Sequence, residues 1–165
     1  MRVMGVDPGS LKSGYGIIEE QRGELVVIAY GVIRTTPHVR LPQRLLEIGT
    51  RLQELIEQYA PQELAIEDVF VAKNAKSSLK LGQASGAILL AAAQSGLRIT
   101  EYTPLEVKQA VVGYGRAEKA QVQHMVSVLL RLQDIPKPDD AADALAIAIC
   151  HHHSAKMKQQ IENNL

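Results

Sequence analysis

The sequence predicts an α/β domain in which one mixed sheet, a β-meander plus further strands, is covered by helices on both faces. Three observations carry this prediction. Val- and Ile-rich runs separated by turn residues open the chain, and stretches with apolar residues at helical spacing fill most of the remainder. Two more short apolar runs fall between those helices, giving the order β-β-β-α-β-α-β-α-α-α. At 165 residues the chain is long enough for one domain to bury a core without disulfides. That domain is expected at 1–156, followed by a polar C-terminal tail at 157–165.

Each element has its own signal. Arg2–Asp7 is a short apolar run broken by Pro8 and Gly9. Residues 14–20 and 24–36 continue as strands, with Gln21-Arg22-Gly23 as the hairpin turn. Over 42–59, Leu45, Ile48, Leu52, Leu55 and Ile56 recur at helical spacing until Pro61 intervenes. Residues 63–69 form a buried-type strand, and a polar stretch at 73–78 leads into a small-residue helix over 79–95. Gly82 and Gly86 weaken that helix but permit close approach of a partner or ligand. A strand at 97–102 precedes helices at Pro104–Val112 and 117–132, separated by Gly113-Tyr114-Gly115. Pro138 stands near the start of a last helix over 139–156.

Composition excludes several classes. With 46% hydrophobic and 22% charged residues the chain is not disordered. The single cysteine, Cys150, rules out an intramolecular disulfide and a four-cysteine zinc site, and is expected to be a small core residue. The apolar stretch at 84–93 is about half a membrane span. The N-terminus lacks an apolar signal core and carries Asp7, so a cytoplasmic protein without membrane contact is expected. Net charge is zero, yet residues 71–123 carry seven Lys/Arg against three acids. A basic middle between acid-bearing ends suits a polyanion held beside a carboxylate cluster.

The acids define candidate chemistry. Asp7 and Glu67 end two strands, at the sheet edge where α/β folds bind ligands. Asp140 and Asp143 are three apart at the start of the last helix, so they share a face. Helix capping accounts for Asp139 or Asp140 but not for Asp143, a full turn inside. Carboxylates that converge without nearby cations raise one another's pKa, and a hard divalent ion with oxygen ligands relieves this.

Several blocks of the chain together resemble the RuvC family, the bacterial Holliday-junction resolvases. They are Asp7-Pro8-Gly9-Ser10 with Gly14-Tyr15-Gly16, Ile66-Glu67-Asp68-Val69-Phe70, Lys73-Asn74-Ala75 and Leu79-Lys80-Leu81-Gly82-Gln83. Val107-Lys108-Gln109-Ala110, Ala117-Glu118-Lys119 and Asp140-Ala141-Ala142-Asp143-Ala144-Leu145 continue the match in order. The resemblance runs from Arg2 to about His152. It implies a ribonuclease-H-like fold, a homodimer that nicks two opposed strands of four-way junction DNA, and cooperation with RuvA and RuvB. It also implies Asp7, Glu67, Asp140 and Asp143 as catalytic, metal-binding carboxylates for two Mg²⁺ per active site, with Mn²⁺ as a substitute. Cleavage would leave 5′-phosphate and 3′-hydroxyl ends.

Phe70, Lys73, Lys80, Lys108 and Lys119 are the DNA-binding candidates, Phe70 by stacking on an unpaired base at the crossover. The family often has Arg where this chain has Ser85, which withdraws one candidate phosphate contact. His151, His152 and His153 diverge around a helix and cannot share one ion. Of the three, His151 is the candidate to face the carboxylates. Three other readings compete. A related nuclease acting on structured RNA, of the YqgF-like group, usually continues Lys-Arg-Ile-Gly where this chain has Lys12-Ser13-Gly14-Tyr15. A non-catalytic junction-binding module is disfavoured because four acids repel DNA unless a metal sits between them. The sugar-kinase and actin superfold needs two such domains, too many for this length.

Overall fold

In the computed structural model β1 (Arg2–Asp7), β2 (Lys12–Gln21) and β3 (Glu24–Arg34) form the antiparallel meander. The structure describes residues 1–68 and 74–163, without the side chains of 158, 159, 162 and 163. Phe70 and Lys73 therefore lie outside the described residues. The β2–β3 hairpin turns on Arg22 and Gly23, both at positive φ (54° and 84°), which matches the right-handed twist of the flanking strands. β4 (Glu63–Glu67) and β5 (Arg98–Tyr102) join parallel to β1, giving the order β3-β2-β1-β4-β5.

Alternation along the strands divides the core in two. Met4, Val6, Ile17, Leu64 and Ile66 face α1 (Leu41–Tyr59) and α2 (Ala75–Gln94), where they meet Ile48, Leu52 and Ile88. Val3, Ile18 and Ala65 face α5 (Asp139–Asn163), whose Leu145, Ile147 and Ile149 are buried; α3 (Pro104–Val112) and α4 (Lys119–Leu129) flank that helix. Each fully buried aliphatic side chain contributes about 1.5–3 kcal/mol. α5 lies directly on the sheet because glycines make room for it. A Cβ at Gly5 would sit 2.1 Å from the Ala144 carbonyl oxygen, and one at Gly14 would sit 1.9 Å from that of Asp140.

The structure departs from the sequence expectation at several element ends. β2 begins at Lys12 rather than 14, because Lys12 and Ser13 pair with Arg34 and Ile33 of β3. α2 begins at Ala75 rather than 79, since the Asn74 side chain accepts from the Lys76 N–H at 2.9 Å and caps it. α4 is shorter than 117–132, and α5 continues past 156 to Asn163. Among the described residues no helix is long and apolar enough to cross a membrane.

Candidate active site

Gly5 and Asp7 share the α5 face of β1, so the close seating of α5 over Gly5 also brings its first turns over Asp7. The parallel pairing of Val6 with Ile66 sets Glu67, one residue further on, beside Asp7 on the same face. Asp140 and Asp143 come down on this edge from the first turns of α5. All four acids are electrostatically coupled. Burial first, and then Glu67, Asp143 and Asp140, push Asp7 up to about 8, opposed by Lys119. Burial and the Asp143 charge raise Glu67, against Lys108 and Lys119. Burial also raises Asp143, although Lys119 hydrogen-bonds to it and pulls the other way.

Two lysines neutralise part of this charge. Lys119 Nζ donates to Asp143 Oδ2 at 3.0 Å and lies 3.9 Å from Asp139, and the bond to Asp143 raises the lysine's own pKa. Lys12 Nζ lies 2.9 Å from Asp140 Oδ2. Lys108 and Lys119 line a pocket together with Glu67, Asp143, Pro104, Val107 and Val122. This all-oxygen set fits a hard divalent cation chemically, because its uncompensated charge is what such an ion relieves. It is not a preformed cage: among the described residues no three acidic, His or Cys groups are already drawn together around an ion position. Ligation would require the carboxylates to close in and the lysines to yield.

Other expectations fall elsewhere. Lys80 is exposed on α2, on an element apart from the carboxylates. Ser85 is buried within α2. Cys150 is core, 1% exposed, and burial drives its thiol up to about 11. His151 does not face the site. Its Nε2 lies 2.6 Å from Glu63 Oε2 and its Nδ1 lies 3.0 Å from the Tyr102 hydroxyl. The reason is length: eight helical residues separate His151 from Asp143, about 12 Å along α5, which carries it to the start of β4. Lys12, conversely, is a site residue that sequence reasoning missed. Its signal was the two-residue step to Gly14, which puts Lys12 on the α5 face if the strand starts early enough.

The chain matches the family described as crossover junction endodeoxyribonuclease RuvC over residues 3–151. It is 53% identical over 163 residues to the crossover junction endodeoxyribonuclease RuvC of Citrifermentans bemidjiense, covering 99% of each chain. Among solved structures it is similar to Thermus thermophilus RuvC, with 35% identity and a TM-score of 0.89 over 96% of this chain and 97% of that one. The same bacterium's RuvC in complex with a Holliday junction substrate aligns at TM-score 0.91 and 34% identity, over 96% of each chain.

Proposed function

The chain belongs to the RuvC family, has its ribonuclease-H-like fold and resolves Holliday junctions, and from that premise we propose which of its residues do the work. Asp7, Glu67, Asp140 and Asp143 are the catalytic carboxylates and the ligands of two Mg²⁺ ions, which Mn²⁺ can replace. The observation that supports this reading most strongly is the convergence of four acids on one sheet edge, where burial and the other three push the Asp7 carboxyl upward. Bound there, Mg²⁺ supplies charge stabilisation to the phosphodiester and eases deprotonation of an attacking water.

The chain's own residues perform the rest. Asp7 and Glu67 are held by paired strands and so present their oxygens from a rigid edge, whereas Asp140 and Asp143 approach from the helix above. Lys108 and Lys119 line the adjoining pocket and hold the phosphate strand against the carboxylates. In-line hydrolysis at this edge leaves a 5′-phosphate and a 3′-hydroxyl, ends that a ligase reseals.

Two opposed nicks require two such edges, so the working unit is a homodimer. Support comes from an apolar groove between α1 and α2, lined by Leu46, Gly49, Gly86 and Leu90, with Leu46 70% and Leu90 60% exposed. Among the described residues nothing lies within 4 Å of a Cβ built at Gly82 or Gly86, so their own chain does not require those glycines. By family resemblance the same enzyme acts in the cytoplasm with RuvA and RuvB. The test is a synthetic four-way junction incubated with Mg²⁺ or with EDTA, beside a structured RNA. Symmetric paired nicks in the junction with Mg²⁺ alone are expected. Cleavage of the RNA in preference to the junction would sink the reading.

A further inference from the structure

We propose that Lys12 is a positioning residue of this site, exchanging between Asp140 and a junction phosphate as the divalent metal comes and goes. This rests on the reading of Asp140 as a metal ligand. Three observations lead to it. Alternation along β2 puts Lys12, Gly14 and Gly16 on one face, and Gly14 is the residue on which the Asp140 backbone sits. Lys12 is thus aimed at the first turn of α5 by the strand itself, and its ammonium reaches Asp140 Oδ2 at 2.9 Å.

The Lys12 main chain is also clamped. Gly9 N–H donates to Ser13 Oγ at 3.1 Å, Ser13 Oγ donates to the Gly9 carbonyl at 2.9 Å, and Thr35 N–H donates to the Leu11 carbonyl at 3.1 Å. Only the side chain is free to move, and it is 50% exposed at the rim of the carboxylate edge.

An ammonium and a divalent ion seek the same carboxylate lone pairs, so on Asp140 they compete. Lys12 has the means to leave: a flexible four-carbon stem and an exposed ion pair, a class worth little. Lys119 differs, because it also lies near Asp139 and its amine is already shared between two acids. With a divalent ion held by Asp140, the Lys12 ammonium would be freed at the exposed rim of the carboxylate edge, within reach of a phosphate. The metal's arrival thereby adds one phosphate contact, coupling metal loading to grip on DNA.

The test pairs a calorimetric Mn²⁺ titration of the protein with junction binding measured across salt concentration. Lys12→Met should tighten Mn²⁺ about 2–5-fold, the scale of an exposed ion pair. Its junction binding in Ca²⁺ should lose roughly one unit of log–log salt slope, while its slope in EDTA should match the wild type. Unchanged or weaker Mn²⁺ affinity would overturn the proposal, as would an equal loss of slope in Ca²⁺ and EDTA, which would make Lys12 a constant phosphate contact. Asp7→Asn and Asp140→Asn separate this from the underlying reading. If both abolish Mn²⁺ binding while Lys12→Met does nothing, only the exchange fails; if neither weakens it, the ligand assignment fails too.

Discussion

At its far end α5 meets two acids that face it from the sheet, and both are paired. His151 Nε2 lies 2.6 Å from Glu63, while His152 Nε2 and Lys156 Nζ lie 3.0 and 3.2 Å from Glu20. The Lys156 bond holds the Glu20 carboxyl below its usual range. At its near end the same helix meets Asp7 and Glu67, built onto the same sheet face by the same alternation. Among the described residues neither has an ion-pair partner, and both are shifted upward. Strand geometry is common to the two ends, but burial weighs on Asp7 and Glu67 and hardly on Glu20. They differ also in their partners: Glu63 and Glu20 each have one in contact, whereas Lys108 and Lys119 act on Asp7 and Glu67 only from a distance. An acid at a strand tip is therefore not in itself the mark of a site; a buried group of them is the stronger signal.

The widest separation between the ends should appear in cleavage. Asp7→Asn, Glu67→Gln, Asp140→Asn and Asp143→Asn should each slow junction cleavage about 10³-fold or more, since each removes several kcal/mol of charge stabilisation at about 1.4 kcal/mol per tenfold. Junction binding should be unchanged or tighter, because an acid facing phosphate is gone. At the far end Glu63→Gln should cost about 1 kcal/mol of stability, through its half-buried bond to His151, and leave cleavage per folded molecule intact. Asp68→Asn is the control within the near end. Asp68 lies next to Glu67 in sequence but alternation turns it away, and its backbone N–H is held by the Tyr102 carbonyl at 2.8 Å. Loss of cleavage in Glu63→Gln, or its survival in any of the four, would erase the distinction.

A smaller effect should appear in metal-free stability against pH. The ordinary Asp7 value is 3.8, and in the fold it rises to about 8. Between those limits the unfolded chain has released this proton while the folded chain keeps it. The folded state binds more protons there, so stability falls as pH rises from about 4 to about 8 and then levels off. Asp7→Asn should remove that slope and stabilise the EDTA-treated protein at pH 8 by up to about 5 kcal/mol, roughly four tenfold changes in proton affinity at about 1.4 each. Denaturant unfolding at a series of pH values measures it. A slope of the same size in the Asn variant would place the burden on another group.

How much of this contrast could be read from residues alone depends on distance along the chain. Asp7 and Glu67 were legible because a strand followed by a break announces a sheet edge, and Asp140 with Asp143 because their spacing fixes a shared face. The meander and the order of elements were legible from periodicity. The far end was not. His151 is near Asp143 in sequence, and nothing local says that α5 runs away from the site along the strands. The Asn74 cap lies in a polar stretch that reads as loop, so local sequence alone starts α2 a turn late. Lys12 was hidden for a related reason: Gly14 and Gly16 weaken a strand signal, and only the paired sheet shows that they are where the helix rests.

The finest test of the comparison concerns which cations are available to DNA. Lys108 lines the site pocket beside Glu67 and, among the described residues, is in no ion pair. Lys119 is divided between Asp143 and Asp139, and Lys156 at the far end is committed to Glu20. A lysine already balanced by a carboxylate releases fewer counterions when phosphate arrives, because part of its charge is cancelled beforehand. Lys108→Ala should therefore lower the log–log salt slope of junction binding by about one unit, the value for one lost phosphate contact. Lys119→Ala should lower it by less, and Lys156→Ala should leave it unchanged. The measurement is junction affinity in EDTA across a salt series, so that no strand is cut and no metal competes. Equal slopes for Lys108→Ala and Lys156→Ala would mean that both ends of α5 present the same field to DNA. A larger loss for Lys119→Ala than for Lys108→Ala would mean that the Asp143 pairing breaks when DNA binds, and that charge balance within the free protein does not decide which lysines grip the junction.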